Sequence, residues 1–114
     1  MAGSREDAKL VVELSKLGAM SGLAEAVGTI FADDFDPETA ELNDPSVRGV
    51  LGWFETVATL VKNKLLDRDL VYDWLWVVGP WDRVGPAALR ARETTGVAYL
   101  YENFEALAAG QRVS

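Results

Sequence analysis

The sequence predicts an all-α, single-domain bundle of five to six helices with no sheet. Every long apolar segment has helical spacing, with apolar residues three and four positions apart. No run alternates apolar and polar residues for more than about four positions, as a strand with one buried face would. Val77-Val78 is the only strand-like pair, and no second segment with strand periodicity is available to pair with it.

The segment from Pro45 to Leu66 is the predicted core helix, around which the other helices pack. Asp44 is a suitable N-cap, and Pro45 occupies the first helical position, where its missing N–H sacrifices no hydrogen bond. Its apolar residues define one buried face: Val47, Val50, Leu51, Phe54, Val57, Ala58, Val61 and Leu65.

The N-terminal helices are predicted over about residues 5–32. Ser4 and Asp7 form a capping-box pattern that opens the first helix, and Gly18 is its predicted stop. A second helical piece is predicted from about Gly22 to Ala32. The sequence leaves open whether these pieces are one kinked helix or two.

Residues 33–44 form an acidic connection between the N-terminal helices and the core helices of about residues 45–109. Asp36 and Pro37 have the order of an N-cap and a first helical residue, which predicts a short helical turn near Pro37 to Leu42. Acids alternate here as in a calcium-binding EF-hand loop. That loop's glycine and final glutamate are missing, however, so a solvated turn is the favoured interpretation.

Three helices are predicted in the C-terminal half, each with a recognisable sequence signal. Asp67 caps the first, Gly85-Pro86 is expected to kink or restart the second, and Gly110 is expected to end the third. Their approximate ranges are Arg68–Trp76, Trp81–Thr94 and Val97–Ala109.

Composition excludes several kinds of chemistry. The chain of 114 residues has no cysteine and no histidine, so it lacks thiolate nucleophiles, the usual general base and the usual zinc ligands. Its net charge of −7 opposes binding to nucleic acid or to an anionic membrane. No signal-peptide pattern and no membrane-length apolar run are present. We therefore expect a cytoplasmic protein without a cofactor, and the excess of Arg over Lys suggests a bacterial source.

Aromatic residues are concentrated in one short part of the sequence: Tyr72, Trp74, Trp76 and Trp81. One small core does not easily bury so many large rings, and aromatic residues are enriched at interface centres. These residues are therefore candidates for a homodimer interface of about 1,200–2,000 Å². An aromatic ligand cage is the alternative interpretation.

Glu55 and Glu105 are interpreted as structural acids. Each follows a phenylalanine of a buried face by one residue, which places it on the flank of that face. A partly buried carboxylate needs a cationic partner, and Arg92 is the candidate for both. Arg90 is expected to face water instead. Phe54 and Phe104 open a shared pattern, Phe-Glu-x-aliphatic-Ala, whose status as a true repeat the sequence leaves open.

One set of residues gives the chain a family resemblance: Leu51-Gly52-Trp53-Phe54-Glu55, Leu65-Leu66-Asp67 with Leu70, Trp81, an arginine at 90 or 92, and Phe104-Glu105 followed by Leu107. With these residues the chain resembles a family of small all-helical bacterial proteins catalogued as a domain of unknown function. The resemblance covers about residues 45–110 and not the part before Asp33. It implies an all-helical fold and carries no activity, cofactor or catalytic residue.

Three functional classes remain open. The favoured one is a non-enzymatic helical module that self-associates and acts through protein contacts, with an unknown protein partner as a further possibility. The second is an acidic inhibitor, immunity-type protein or nucleic-acid mimic, whose acidic side chains would be massed on one surface. The third is a small carboxylate-dependent enzyme, which would need a deep pocket containing a perturbed glutamate.

Overall fold

Six α-helices make up most of residues 4–114, the part of the chain that this computed structural model describes. No strand occurs in these residues, so the predicted all-α class is confirmed. None of the helices described has the length and apolar character needed to cross a membrane. In chain order they are α1 (Arg5–Ser21), α2 (Leu23–Ile30), α3 (Pro45–Lys62), α4 (Arg68–Trp74), α5 (Val78–Thr95) and α6 (Glu102–Val113).

Helix α3 is the central element, and it packs against α1, α2, α5 and α6. Its N-terminus is formed as predicted, with the Asp44 carboxylate accepting a hydrogen bond from the Ser46 N–H at 2.8 Å. The buried face contributes more residues to the core than any other helix does, including Val47, Leu51 and Val57, which are fully buried.

The predicted end of α3 at Leu66 was wrong. The helix stops at Lys62 because Lys64 adopts the left-handed conformation, with φ of 60°. The N–H groups of Lys64 and Leu65 donate back to carbonyls of the last turn, as in a Schellman motif. This turn exposes 61 % of Leu65, which was predicted to be buried, and buries Leu66 instead.

Helices α1 and α2 are two separate helices, which resolves the alternative that the sequence left open. Gly22, with φ of 79°, ends α1 in the left-handed region, so the predicted stop at Gly18 was wrong. Gly18 lies within α1 and makes room for a tryptophan. A Cβ there would approach Trp53 Nε1 to 3.2 Å, and this nitrogen donates to the Leu14 carbonyl at 3.0 Å.

The acidic connection contains the predicted capped turn, which covers residues 37–39 and does not reach Leu42. The Asp36 carboxylate accepts from the Glu38 N–H at 2.9 Å, and the Asp36 carbonyl accepts from the Ala40 N–H at 3.0 Å. Arg90 Nη2 donates to the carbonyls of Pro37 and Ala40. The expectation that Arg90 faces water was therefore wrong, because the connection folds across α5 and uses this guanidinium.

Helices α4, α5 and α6 all differ in extent from their predicted ranges. Helix α4 ends at Trp74 instead of Trp76, and α5 begins at Val78 and runs without a restart through Gly85-Pro86. Helix α6 runs from Glu102 to Val113 and includes Gly110, so Gly110 does not end it. Gly110 is needed for packing, because a Cβ at this position would lie 2.5 Å from the Tyr72 hydroxyl.

An aromatic cluster connects α3, α5 and α6 inside the core. Phe104 is fully buried and stacks on Phe54 with ring centres 4.8 Å apart, while Trp81 meets Phe104 edge-on at 5.1 Å. Trp53 meets Phe54 at 5.0 Å and Trp74 at 5.7 Å, both edge-on. These geometries are the favoured ones for aromatic pairs, so the cluster stabilises the bundle beyond its buried area.

Asp7 ties the start of α1 to the corner between α3 and α4. Its carboxylate accepts from the Ser4 hydroxyl at 2.8 Å and from the Asp67 N–H at 3.0 Å. These bonds, the Ser4 side chain first, hold the pKa of Asp7 below its ordinary value of 3.8. The stabilisation is therefore present above the ordinary pKa and is lost as the pH falls through the lowered folded-state pKa.

We expect a carboxyl-carbon NMR titration to give Asp7 a pKa below 3.8 in the folded protein. Ser4→Ala should raise that pKa towards the ordinary value, since it removes the largest stabilising contact of the carboxylate. An Asp7 pKa that does not change on Ser4→Ala would show that this contact has no influence on the carboxylate.

Candidate interaction surface

Three of the four predicted interface aromatics are partly buried by contacts within the chain. Trp81 packs edge-on against Phe104, Trp74 packs edge-on against Trp53, and the Tyr72 hydroxyl donates to the Leu107 carbonyl at 2.8 Å. The fourth, Trp76, is 65 % exposed. It therefore offers by far the largest accessible ring of the four.

Trp76 lies between α4 and α5 and is held in one position on two sides. Its ring stacks on Phe31 with centres 6.0 Å apart and an angle of 18° between the planes. The same ring covers Gly79, where an added Cβ would collide with it. Phe31 is itself 40 % exposed. The two rings form a fixed aromatic projection on the surface.

Arg83 contacts the rings of both Phe31 and Phe35. Its guanidinium carbon lies 5.9 Å from the Phe31 ring centre and 5.2 Å from that of Phe35, which is a cation–π arrangement. Its Nε donates to the Ile30 carbonyl at 2.6 Å, and Nη2 donates to the Phe35 carbonyl at 3.2 Å. One side chain therefore holds the end of α2 and orients the aromatic projection.

An apolar groove of about 500 Å³ lies between α1, α2 and the end of α4. Two of its lining residues are close in sequence to the projection, since Val27 lies four residues before Phe31 and Leu75 directly precedes Trp76. None of its lining residues is charged. Its walls are built mainly from Ala19, Leu23, Ala24, Val27, Trp74 and Leu75. We call this groove together with Phe31 and Trp76 the apolar face.

Arg92 and Glu105 lie together, with Arg92 Nη2 3.0 Å from Glu105 Oε1. Arg92 Nε donates to the Leu100 carbonyl at 2.9 Å, so the same side chain also holds the turn before α6. Nη2 is buried and makes no hydrogen bond, although it lies close to Glu105. The contact is therefore one of opposite charges rather than a bidentate pair.

Glu55 does not pair with Arg92, and this part of the prediction was wrong. Its Oε1 accepts from the Phe104 N–H at 2.8 Å, and its Oε2 accepts from Asn103 Nδ2 at 2.8 Å. Tyr101, the residue at the N-cap of α6, has φ of 58° and makes no capping bond with its own side chain. Glu55 thus caps α6 from α3, where the helix dipole also favours a carboxylate.

The acidic connection exposes five carboxylates along one segment: Asp33, Asp34, Asp36, Glu38 and Glu41. None of them is among the ion pairs of residues 4–114. Within the same residues, no group of three or more acidic side chains is arranged to hold a metal ion. The acids are spread along the connection instead of converging on a point.

The family model described as "Domain of unknown function (DUF4760)" matches residues 2–111. The match includes α1 and α2, so the expectation that the family likeness begins only after Asp33 was wrong. No curated protein and no solved structure matches the chain. Because the family model covers nearly the whole sequence, the chain belongs to the DUF4760 family of domains of unknown function.

Proposed function

We propose that this domain is a non-enzymatic interaction module that forms a homodimer through the apolar face. The observation that carries the proposal is the Trp76 ring, which is 65 % exposed although it stacks on Phe31 and packs over Gly79. Exposing a large rigid ring is unfavourable in water unless a partner covers it. Tryptophan is also enriched among the residues that dominate binding energy.

The shape of the apolar face supports a second copy as the partner. It combines a projection, Trp76, with a groove of about 500 Å³ whose lining includes Leu75, the residue before Trp76. In a two-fold symmetric dimer the same patch is used twice, so each Trp76 would enter the partner's groove. A stable dimer needs about 800 Å² from each partner, to which the rim around this face would contribute.

Charge also supports self-association at this face. Two copies that each carry a net charge of −7 repel one another over most approaches. The groove contains no charged side chain, so contact there brings no like charges together. Glu55 and Glu105 are occupied by the α6 N-terminus and by Arg92, which favours structural roles over catalytic ones.

Light scattering after size exclusion tests the proposal. The chain should give a mass near twice its 12.4 kDa at high micromolar concentration. Trp76→Ser should weaken dimerisation by about tenfold or more, because one central tryptophan typically contributes at least 1.4 kcal/mol. Ala24→Glu, which places a charge in the groove, should have a similar effect.

Tyr99→Ser is the matched control, since Tyr99 is 69 % exposed and does not line the groove. It should leave the dimer unchanged. Gly79→Ala keeps every side chain of the face but displaces the Trp76 ring, so it should weaken the dimer as well. A monomeric mass for the wild-type chain, or a Trp76→Ser dimer as tight as the wild type, would refute the proposal.

A further inference from the structure

We propose that a second groove, between α3, α4 and α6, binds a monoanionic amphiphile, that is, a small molecule with one carboxylate and an apolar tail. This groove measures about 460 Å³, within the range of about 300–1,000 Å³ typical of small-molecule sites. It shares no lining residue with the apolar groove, so the proposal does not depend on self-association. We call it the basic groove.

The floor of the basic groove suits an apolar tail. Ala58 and Val61 of α3 and Ala106 and Leu107 of α6 line it. The Tyr72 ring lines one side and is held there by the hydrogen bond from its hydroxyl to the Leu107 carbonyl. Burial raises the pKa of this phenol, so it remains a neutral donor to that carbonyl. The floor is therefore apolar and already in place without a ligand.

Two cations of the basic groove have no partner among the residues that the structure describes. Lys62 and Arg68 are exposed and form none of the ion pairs within residues 4–114. In contrast, Arg83 and Arg90 donate to backbone carbonyls, and Arg112 binds Asp82. In an acidic chain, two unpaired cations beside an apolar floor provide charge complementarity for an anion.

The remaining charges of the region define the ligand class. Glu102 also lines the basic groove, so the groove carries a net charge of one positive from Lys62, Arg68 and Glu102 together. This net charge matches a monoanion better than a phosphate dianion. An adjoining groove shares Lys62 and Arg68 and is otherwise lined by three acids, Asp7, Asp67 and Asp69, and one further cation, Lys64. The acids outnumber that cation, so this side is less favourable for an anion than the basic groove. The carboxylate is therefore expected at Lys62 and Arg68 with its tail along the α3–α6 floor.

Fluorescence titration of the full chain with 11-(dansylamino)undecanoate tests this assignment. We expect saturable binding of the probe, and we expect dodecanoate to displace it. Dodecyltrimethylammonium and dodecyl phosphate should compete with an affinity at least about tenfold lower than that of dodecanoate. The double variant Lys62→Gln/Arg68→Gln should weaken binding by about tenfold or more. Ala106→Trp should do the same by filling the floor, and because Ala106 is exposed this variant is expected to fold.

The control is Arg5→Gln/Arg48→Gln, which removes the same charge from two exposed cations outside the groove. It should change the affinity by less than about twofold. The assignment is overturned if the wild type shows no saturable binding, if the control weakens binding as much as the groove variant, or if Ala106→Trp has no effect. Light scattering of the same variants keeps this result separate from dimerisation, since none of them alters the apolar face.

Discussion

Phe104→Ala is expected to lower the free energy of unfolding by about 3–5 kcal/mol, the largest effect of any substitution considered for this chain. Phe104 is fully buried, stacks on Phe54 at 4.8 Å and forms a T-shaped pair with Trp81 at 5.1 Å. Truncation removes its buried area and leaves a cavity where α3, α5 and α6 meet. Chemical denaturation followed by circular dichroism measures the change.

Val113→Ala on the same helix is the matched control. Val113 is 85 % exposed, so its truncation should change the stability by less than about 0.5 kcal/mol. Phe104→Leu keeps most of the volume and should fall between the two. A loss below about 1 kcal/mol for Phe104→Ala would contradict the packing described for this cluster.

Arg83→Ala is expected to lower the free energy of unfolding by about 2–4 kcal/mol. The change leaves the carbonyls of Ile30 and Phe35 without their charged donor and removes the cation from two aromatic rings. Ile30 is fully buried, so its carbonyl has little access to water as a substitute partner. The same denaturation experiment measures the loss.

Arg48→Ala provides the comparison, because Arg48 is exposed on α3 and forms no ion pair within the described residues. Its effect should be within about 0.5 kcal/mol. Arg83→Lys should recover less than half of the loss, since a single ammonium group cannot reproduce the planar fork that reaches two carbonyls. Equal stabilities for Arg83→Ala and Arg48→Ala would show that the Arg83 bonds contribute nothing net.

Helix starts were predictable where the capping residue precedes its own helix. Ser4, Asp44 and Asp67 each accept a hydrogen bond from a backbone N–H two or three residues later. Such a bond depends only on nearby sequence, so it can be inferred without knowing the rest of the fold. The start of α6 was not predictable in this way, because its cap is Glu55, 49 residues earlier in the chain.

Glycines caused two of the errors at helix ends. Gly22 and Gly96 adopt the left-handed conformation and end α1 and α5, whereas Gly18 and Gly110 lie inside helices. The same residue type can end a helix or make room for a neighbouring side chain. Only the position of that neighbour, such as Tyr72 beside Gly110, distinguishes the two roles.

The sequence alone determined the helical class of this protein and the position of its central helix, because helical periodicity can be read from neighbouring residues. It also determined the absence of histidine and cysteine chemistry, because composition is a property of the whole sequence. Only the tertiary structure decided which aromatic ring remains exposed and which charges remain unpaired. Trp76 and Trp81 are both tryptophans of the same short segment, yet Trp81 packs against the core and Trp76 is accessible. Lys62 and Arg92 differ likewise, since a charge is paired only if distant backbone or carboxylate groups are folded beside it.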